Sequence, residues 1–514
     1  MASTFALVIG YLAAAYIFLY ALLHSTQNSK EPPTIETSLP FVSPLFGLIS
    51  GMQKYCLHLR DKYGLPIYTL RMPGQRIYIV NSLSLIQPLQ RHFKTIAFAP
   101  IEAQAAATVM GVGPAGNTII GSDKLLEDDS YLSTFVPSLH PALSPGPGLD
   151  AINNAAIQYF ADSLEQLSGN GPTTVELFSW VRRQLFMATT ESIYGPQNPF
   201  RNPALEEAWY KFEPGIMVHM FKAWPSVLAR KSLHAREHVL IPAFEKYFAN
   251  NGHHHGSLLV QCRYGHNTGH GLRGRDLAAT EIGQMVASIT NSVASAFWMV
   301  YHVFSDPAVL DDCRKEVEQL VRVDVDDICT IDMAKVMSSC PILLSTWQET
   351  LRYVHIGIAA RVVMEDIMLD NKYLLKKGAT VMTVTPVQHT DESLWGPTVA
   401  SFDHCRFLRE SGKKRTNPAA FRSFGGGVVL CPGRHFVSTE VMSFVALLLL
   451  RFDLRPVNNR GNWVQPRKDF PMTSSMPTPR DGVRVEVVLR DEREWRVNLL
   501  ASSKAVDMIP GDVE

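Results

Sequence analysis

A single cysteine framed by glycines is the residue of this 514-residue chain best suited to chemistry. Cys431 stands in the run FGGGVVLCPGR, which covers residues 424–434. Glycines let the backbone approach a flat ligand closely and let N–H groups turn toward one atom. A thiolate held in this way is a strong axial ligand to iron, and thiolate-ligated haem favours cleavage of the O–O bond. From these residues alone, a buried free cysteine at the start of a helix is the alternative.

A pair of oppositely charged residues precedes the cysteine in the sequence. Glu349 and Arg352 stand three positions apart, so they share one face of a helix and can pair. Apolar residues on both sides of them predict burial, and a buried ion pair needs further partners to offset its desolvation. We expect Arg406, in the run FDHCRF, to be the third member of this group.

The elements that must position these residues are mostly helical. Apolar periodicity predicts long helices over 205–221, 233–248, 275–304 and 435–450. The first of them is expected to break at Pro214-Gly215. Two β-rich runs around Pro73-Gly74 predict a hairpin, and residues 483–489 predict a further strand. The predicted fold class is therefore mainly α with small β-sheets (α+β).

Charge and cysteine content exclude several classes of function. The chain has 48 Lys and Arg against 48 Asp and Glu, so it lacks the basic surface that a nucleic-acid partner needs. Its seven cysteines are an odd number without CxxC or zinc-site spacing. This pattern predicts a reducing compartment and no disulfide framework.

The N-terminus carries one long apolar run, Phe5 to Leu23. Nineteen uncharged residues at helical rise cover about 30 Å, the hydrocarbon thickness of a bilayer. No basic segment precedes the run, so a retained anchor is favoured over a cleaved signal peptide. A proline-rich stretch follows it.

Three motifs taken in order and spacing resemble the cytochrome P450 superfamily of haem-thiolate monooxygenases. They are Glu-x-x-Arg at 349–352, Phe-x-x-x-Arg-Phe at 402–407, and Phe-x-x-Gly-x-x-x-Cys-x-Gly at 424–433. The resemblance covers nearly the whole chain and implies a single large catalytic domain behind an N-terminal transmembrane helix. The implied domains are an anchor at 1–25, a proline-rich linker at 26–50 and a haem-thiolate catalytic domain at 51–514.

The resemblance implies roles for the residues around the cysteine. Cys431 is the expected thiolate ligand of haem b, with Phe424 packed near it. Gly427 and Gly433 would supply the tight turn and N–H groups near the sulfur. Arg361 resembles the arginine that meets a haem propionate, with a surface charge at a strand edge as the alternative. Glu349, Arg352 and Arg406 would form a structural triad that holds the fold.

On the opposite side of the haem, family members usually place an acid followed by Thr in a long helix. This chain has Asn291 and Ser292 there. The resemblance implies that Ser292 supplies the hydroxyl and Asn291 a hydrogen-bonding partner for proton delivery, with Ala287 making room for dioxygen. The alternative is that both polar side chains only satisfy hydrogen bonds within a buried helix.

Other departures concern the cations that meet the propionates. Val429 stands where a basic residue is usual, and the usual aromatic-x-x-x-Arg pattern is not visible between residues 120 and 150. Arg422, His140 and Lys124 remain alternatives for the missing cation. His404 replaces the usual proline of the Phe-x-Pro-x-Arg-Phe run.

The Asn-Ser pair and the missing basic residue resemble one eukaryotic branch, which includes the sterol 7α-hydroxylases, prostacyclin synthase and fungal biosynthetic relatives. The resemblance implies a monooxygenase that oxidises a lipophilic small molecule, of terpenoid, sterol-like, polyketide-hybrid or alkaloid type, in fungal secondary metabolism. It implies O2 and NADPH-derived electrons from a partner reductase, with cytochrome b5 as an optional second donor. It also implies a single-pass protein of the endoplasmic reticulum membrane with a cytosolic catalytic domain.

Two other classes of function remain as alternatives. The first is an isomerase of the same fold, similar to prostacyclin synthase, which needs no reductase. The second is a membrane-anchored binding protein without haem.

Overall fold

The computed structural model describes residues 2–169, 171–408, 417–457, 461–490 and 492–500. The chain divides into two compact units, and each is described by itself. The first comprises Met1–Ile101, Ile356–Val399 and Ala419–Leu430. The second comprises Glu102–His355, Ala400–Pro418 and Cys431–Glu514. Helices dominate and the sheets are small, which confirms the predicted fold class.

The first unit is built on a five-stranded sheet. Its strands, in spatial order, are Ile67–Met72, Gln75–Val80, Thr380–Val384, Ile358–Val363 and Ile96–Ala97. The first two form the predicted hairpin, in which Met72 pairs with Gln75 and Gly74 turns the chain at φ 70°. Tyr78 and Val80 join one buried apolar cluster and Ile77 and Ile79 another, so the sheet is covered on both faces.

Helices and one small ribbon complete this unit. The helices are Ala2–Ser25, Ser43–Tyr63, Ile86–Arg91, Thr385–His389 and Glu392–Trp395. A two-stranded ribbon pairs Ile367–Leu369 with Tyr373–Leu375. We call Ala2–Ser25 the N-terminal helix. Within it, Leu7–Ser25 is long and apolar enough to cross a membrane, and no other helix of the described residues passes the same test of length and composition.

The second unit is mostly helical. Its longer helices are Tyr131–Leu143, Pro147–Ser168, Leu177–Tyr194, Pro203–Phe212, Ile241–Ala249, Leu258–Gly269, Gly274–Ser305, Pro307–Glu318, Pro341–Val354 and Arg434–Arg451. Shorter ones cover Pro114–Ile120, Ile216–Met220, Pro225–Leu228, Arg230–Ala235 and Met333–Ser339. The predicted break at Pro214-Gly215 is observed, because a single 3₁₀ turn at Glu213–Gly215 separates two helices.

Three small sheets belong to the second unit. One orders Phe452–Pro456, Arg484–Leu489 and Thr173–Glu176, and another orders Trp495–Asn498, Cys329–Asp332 and Arg322–Val323. The third pairs Lys468–Asp469 with Thr478–Pro479.

Two helices form the centre of this unit. The long helix, Gly274–Ser305, is buried over most of its length, and so is the cysteine helix, Arg434–Arg451. The triad helix, Pro341–Val354, is joined to the cysteine helix where the Trp347 indole N–H donates to the Ser438 hydroxyl at 2.9 Å. These packed helices carry the residues on which the predicted chemistry depends.

Candidate functional site

The Cys431 thiol lies just before the cysteine helix, whose first residue is Arg434. Burial raises the pKa of Cys431, while a hydrogen bond from the Gly433 N–H and the positive charge of Arg434 lower it. A side chain at Gly433 would place its Cβ 4.0 Å from the sulfur, in ordinary contact. Burial outweighs both lowering effects, so the free thiol is favoured, and a cation bound to the sulfur would be needed to hold it as the thiolate.

The glycines before the cysteine are required by the shape of the loop. Gly425 and Gly427 have φ of 80° and 61°, which side chains rarely adopt. A Cβ at Gly425 would also lie 2.9 Å from the Val429 carbonyl oxygen, and one at Gly427 would lie 3.2 Å from the Gln90 side chain. Gln90 thus packs against the glycine loop, and nothing in its own sequence surroundings signals this contact.

Two buried arginines lie close together in the first unit. Arg361, on the strand Ile358–Val363, is 5 % exposed and Arg422 is 6 % exposed. Burial lowers the pKa of both, and the charge of Arg361 helps to lower that of Arg422 to about 10. Within the described part of the chain, no carboxylate forms an ion pair with either. Two buried like charges without a counter-charge create a strong preference for an anionic ligand.

The alternative cations differ in their burial. A surface charge at a strand edge is wrong for Arg361, because its strand lies between two others and its side chain is buried. Lys124 and His140 are exposed, and Lys124 pairs with Glu127 at the surface. Arg422 is therefore the alternative that the structure places beside Arg361.

The structure brings Glu349, Arg352 and Arg406 together. Arg352 donates to both carboxylate oxygens of Glu349 at 2.7 Å, and Arg406 Nε donates to one of them at 3.1 Å. The backbone N–H of Asp403 donates to the other at 3.1 Å, and both arginines reach the Ser401 carbonyl. Because all three side chains are buried, these bonds are needed to offset the desolvation of the charges.

The long helix is buried except for a short exposed stretch on one face. Ala287 and Asn291, one turn apart, are its exposed residues in the middle, whereas Ser292 is buried. The Ser292 hydroxyl donates to the Ser288 carbonyl at 2.7 Å, within its own helix. The lone pairs of this oxygen can still accept a hydrogen bond, so the bond to Ser288 orients the hydroxyl without preventing it from binding another donor.

Asn291 connects the long helix to a distant loop. Its Oδ1 accepts hydrogen bonds from the Ser474 hydroxyl at 3.0 Å and from the Ser475 N–H at 2.7 Å. The side chain therefore fixes the loop at residues 474–475, and its Nδ2 donors remain for other partners. The sequence did not reveal these contacts of Asn291, because the partner residues lie more than 180 positions away in the chain.

A cavity of about 570 Å³ adjoins another face of the long helix. Its polar lining includes Arg182, Glu213 and Thr290, and Arg182 Nη2 donates to Glu213 Oε2 at 2.6 Å. Burial raises the pKa of Glu213, whereas Arg182 and the nearby Thr290 hydroxyl lower it. Glu213 thus places a carboxylate beside Thr290 of the long helix, a contact that the spacing of the motifs did not reveal.

Comparisons with known proteins show the family of this chain. The family model for cytochrome P450 matches residues 225–483, just over half of the chain. The chain is 33 % identical over 481 residues to the cytochrome P450 monooxygenase nodJ of Hypoxylon pulicicidum, covering 91 % of each chain. It is 27 % identical over 492 residues to a cytochrome P450 monooxygenase of Gibberella zeae, covering 93 % of this chain and 92 % of the relative.

A mammalian relative is more distant. The chain is 24 % identical over 487 residues to cytochrome P450 7B1 of Mus musculus, covering 88 % of this chain and 91 % of the relative. The fungal and mammalian matches together confirm the predicted superfamily and branch, and they do not favour the isomerase. From its motifs, its fold and these relatives, the chain belongs to the cytochrome P450 family and is a P450 monooxygenase.

Proposed function

We propose that this monooxygenase oxidises a lipophilic small molecule in fungal secondary metabolism, with O2 and with NADPH-derived electrons from a partner reductase. The observation that carries the proposal is the Cys431 thiol at the start of a buried helix, with the Gly433 N–H directed at its sulfur. Fungal relatives named as monooxygenases over nearly their whole length support it. A terpenoid, sterol-like, polyketide-hybrid or alkaloid substrate fits the resemblance to the biosynthetic branch.

Each unit, taken by itself, offers residues of the kind that a haem needs. Cys431 would ligate the iron as a thiolate, assisted by the Gly433 N–H and the charge of Arg434, which oppose the effect of burial on its pKa. Arg361 and Arg422 would neutralise the propionates, which supply the anion that these buried guanidinium groups lack. Phe424 and Gly427 would shape the loop beside the macrocycle. When bound, a thiolate-ligated haem activates dioxygen for the oxidation of unreactive C–H bonds.

We assign proton delivery to Ser292 and Asn291, with different parts. The Ser292 hydroxyl, held by the Ser288 carbonyl, would accept a hydrogen bond and pass its own proton onward. Asn291 would use its Nδ2 donors, since its Oδ1 is occupied by the loop at 474–475. Ala287, on the exposed face of the same helix, would leave room for dioxygen.

The N-terminal helix would anchor the protein. Residues 1–25 would cross the endoplasmic reticulum membrane once, residues 26–50 would act as a linker, and residues 51–514 would form the cytosolic catalytic domain. The apolar stretch Leu7–Ser25 supports this arrangement by length and composition. NADPH–cytochrome reductase, with cytochrome b5 as an optional second donor, would approach from the cytosol.

The proposal is tested by measuring turnover with and without NADPH and the reductase. The full-length holoprotein, with or without a fungal NADPH–cytochrome reductase, is given ¹⁸O2 and panels of terpenoid, polyketide and alkaloid scaffolds. We expect ¹⁸O in a product only when both NADPH and the reductase are present. Conversion of a substrate without either of them would contradict a monooxygenase and support the isomerase.

A further inference from the structure

A cationic cavity of about 430 Å³ lies at the end of the N-terminal helix, within the first unit. We call it the basal cavity and define it by Leu22, Thr26, Phe41, Arg71, Arg76 and Lys377. Three of these residues are cations, and no carboxylate is among the residues that line it. Neither the haem chemistry nor the predicted motifs make use of it.

Its two arginines hold the turn that ends the N-terminal helix. Arg71 Nη2 donates to the Thr26 hydroxyl at 2.9 Å, and Arg76 Nη2 donates to the Thr26 carbonyl at 2.8 Å. Arg71 is only 9 % exposed, and its buried Nε–H has no hydrogen-bond partner among the described residues. A buried guanidinium donor without a partner is costly, which leaves Arg71 a poorly compensated positive charge beside the cavity.

The charges around the basal cavity do not balance. The carboxylate of Glu31 lies 3.4 Å from Arg76 Nε. Its oxygens already accept from the Tyr78 hydroxyl and the Asn28 N–H. The carboxylate of Asp366 also interacts with the charge of Arg76, but it forms its ion pair with Lys376. Burial, and after it the charge of Arg76, lower the pKa of Arg71, whereas Glu31 raises it; a bound anion would offset part of this lowering.

The position of the cavity indicates where such an anion would come from. The N-terminal helix ends at Ser25, so the cavity begins where the apolar stretch gives way to polar sequence. If that stretch spans a bilayer, this level is the headgroup region. Leu22 and Phe41 add apolar surface beside the cations, which suits a ligand with both a phosphate and an acyl chain.

We propose that the basal cavity binds the phosphate group of an anionic phospholipid. The inference rests on the proposed membrane anchoring, but not on the haem chemistry. Phosphate is the shared chemistry of a lipid headgroup and a free ion, and its three or four acceptor oxygens suit the cations Arg71, Arg76 and Lys377 that line the cavity. The site would fix the orientation of the catalytic part on the membrane surface.

The experiment measures lipids retained by the full-length holoprotein. The protein is placed in nanodiscs of phosphatidylcholine that also contain about 20 % phosphatidate, so that the membrane surface is anionic. It is then released from the nanodiscs for native mass spectrometry. Arg76→Gln and Lys377→Gln each remove one cation from the cavity. Lys372→Gln, an exposed residue that does not line the cavity, is the matched control. An unchanged carbon monoxide spectrum confirms that each variant is folded.

We expect phosphatidate to be retained in preference to phosphatidylcholine, and each cavity variant to lower that preference about fivefold, the effect of one lost cation near a membrane. The control should retain the parent's preference. Equal retention of the two lipids, or equal loss in Lys377→Gln and Lys372→Gln, would overturn the proposal.

A second arm separates the source of the phosphate and the role of the anchor. The detergent-solubilised holoprotein is titrated with dioctanoyl phosphatidate and with inorganic phosphate. Binding of the lipid at least tenfold tighter supports the lipid site, whereas equal affinities would overturn it in favour of a simple anion site. A protein that does not enter nanodiscs of phosphatidylcholine alone contradicts the anchor, and this titration still decides the cavity.

Discussion

The cysteine and the polar residues of the long helix are positioned in different ways. Cys431 is held by its nearest chain neighbours, through the Gly433 N–H and the charge of Arg434. Asn291 instead bonds to Ser474 and Ser475, which are distant in sequence, and Ser292 bonds to its own helix. The proposed iron ligand thus rests on local geometry, whereas Asn291, one of the two residues proposed for proton delivery, is held by tertiary contacts that a motif does not contain.

Substitution in the triad of Glu349, Arg352 and Arg406 should have the largest effect on the free energy of unfolding. In Glu349→Gln, two buried arginines keep their charges but lose their common carboxylate, so we expect a loss of about 3–5 kcal/mol in the free energy of unfolding. Denaturant unfolding of the parent and the variant measures it. Glu494→Gln, which breaks an exposed pair with Arg496, is the control and should change the free energy by less than about 1 kcal/mol. A similar small effect for Glu349 would show that the triad does not hold the fold.

Glu440, in the cysteine helix, predicts a dependence of stability on pH. Burial raises its pKa to about 8, against a lowering by the hydrogen bond from Thr189. Because the folded pKa exceeds the unfolded one, its contribution to stability is present below pH 4.5 and is lost as the pH rises through about 8.

Glu440→Gln should remove this loss. Relative to the parent, the variant should gain stability between pH 5 and 8, by a few kcal/mol as an order of magnitude. Thermal unfolding of both proteins across this range checks the prediction. Parallel curves of Tm against pH would show that Glu440 ionises normally.

Arg422→Gln should weaken haem retention while relieving repulsion in the haem-free protein. The loss of one charge-assisted contact to a propionate should speed haem transfer to apomyoglobin about tenfold. The haem-free variant should be at least as stable as the haem-free parent, because Arg361 then lacks a buried like-charged neighbour. Lys124→Gln, at an exposed position, is the control. Slower unfolding of the haem-free parent than of the variant would contradict this account.

The smallest effect on stability, and the sharpest test of the comparison, concerns Ser292. Ser292→Ala should raise uncoupled peroxide formation about tenfold while changing substrate affinity little, because only the proton path is altered. Ser295→Ala is the matched control, since the Ser295 hydroxyl makes the same kind of bond to the Asn291 carbonyl, at 2.8 Å. The prediction is checked by measuring peroxide formation and the substrate-induced spectral shift in both variants. Equal coupling in the two variants would remove Ser292 from proton delivery.

The sequence predicted what local patterns determine. Glycine positions, the helix after Cys431 and the three-residue spacing of Glu349 and Arg352 follow from backbone geometry and helix periodicity. It could not predict Gln90 against the glycine loop or the loop held by Asn291, because both contacts join residues far apart in the chain. For the same reason, the sequence could not predict that Arg361 and Arg422 are buried close together, because burial depends on how distant parts of the chain pack.

The central claim is that the Cys431 sulfur binds the iron of a haem, and the reduced carbon monoxide difference spectrum of the purified protein tests it most directly. The parent should absorb near the position typical of a thiolate-ligated haem, and Cys431→Ser should lose that band. Cys405→Ser, which changes another partly exposed cysteine, should keep it. The same spectrum in the parent and in Cys431→Ser would contradict the account.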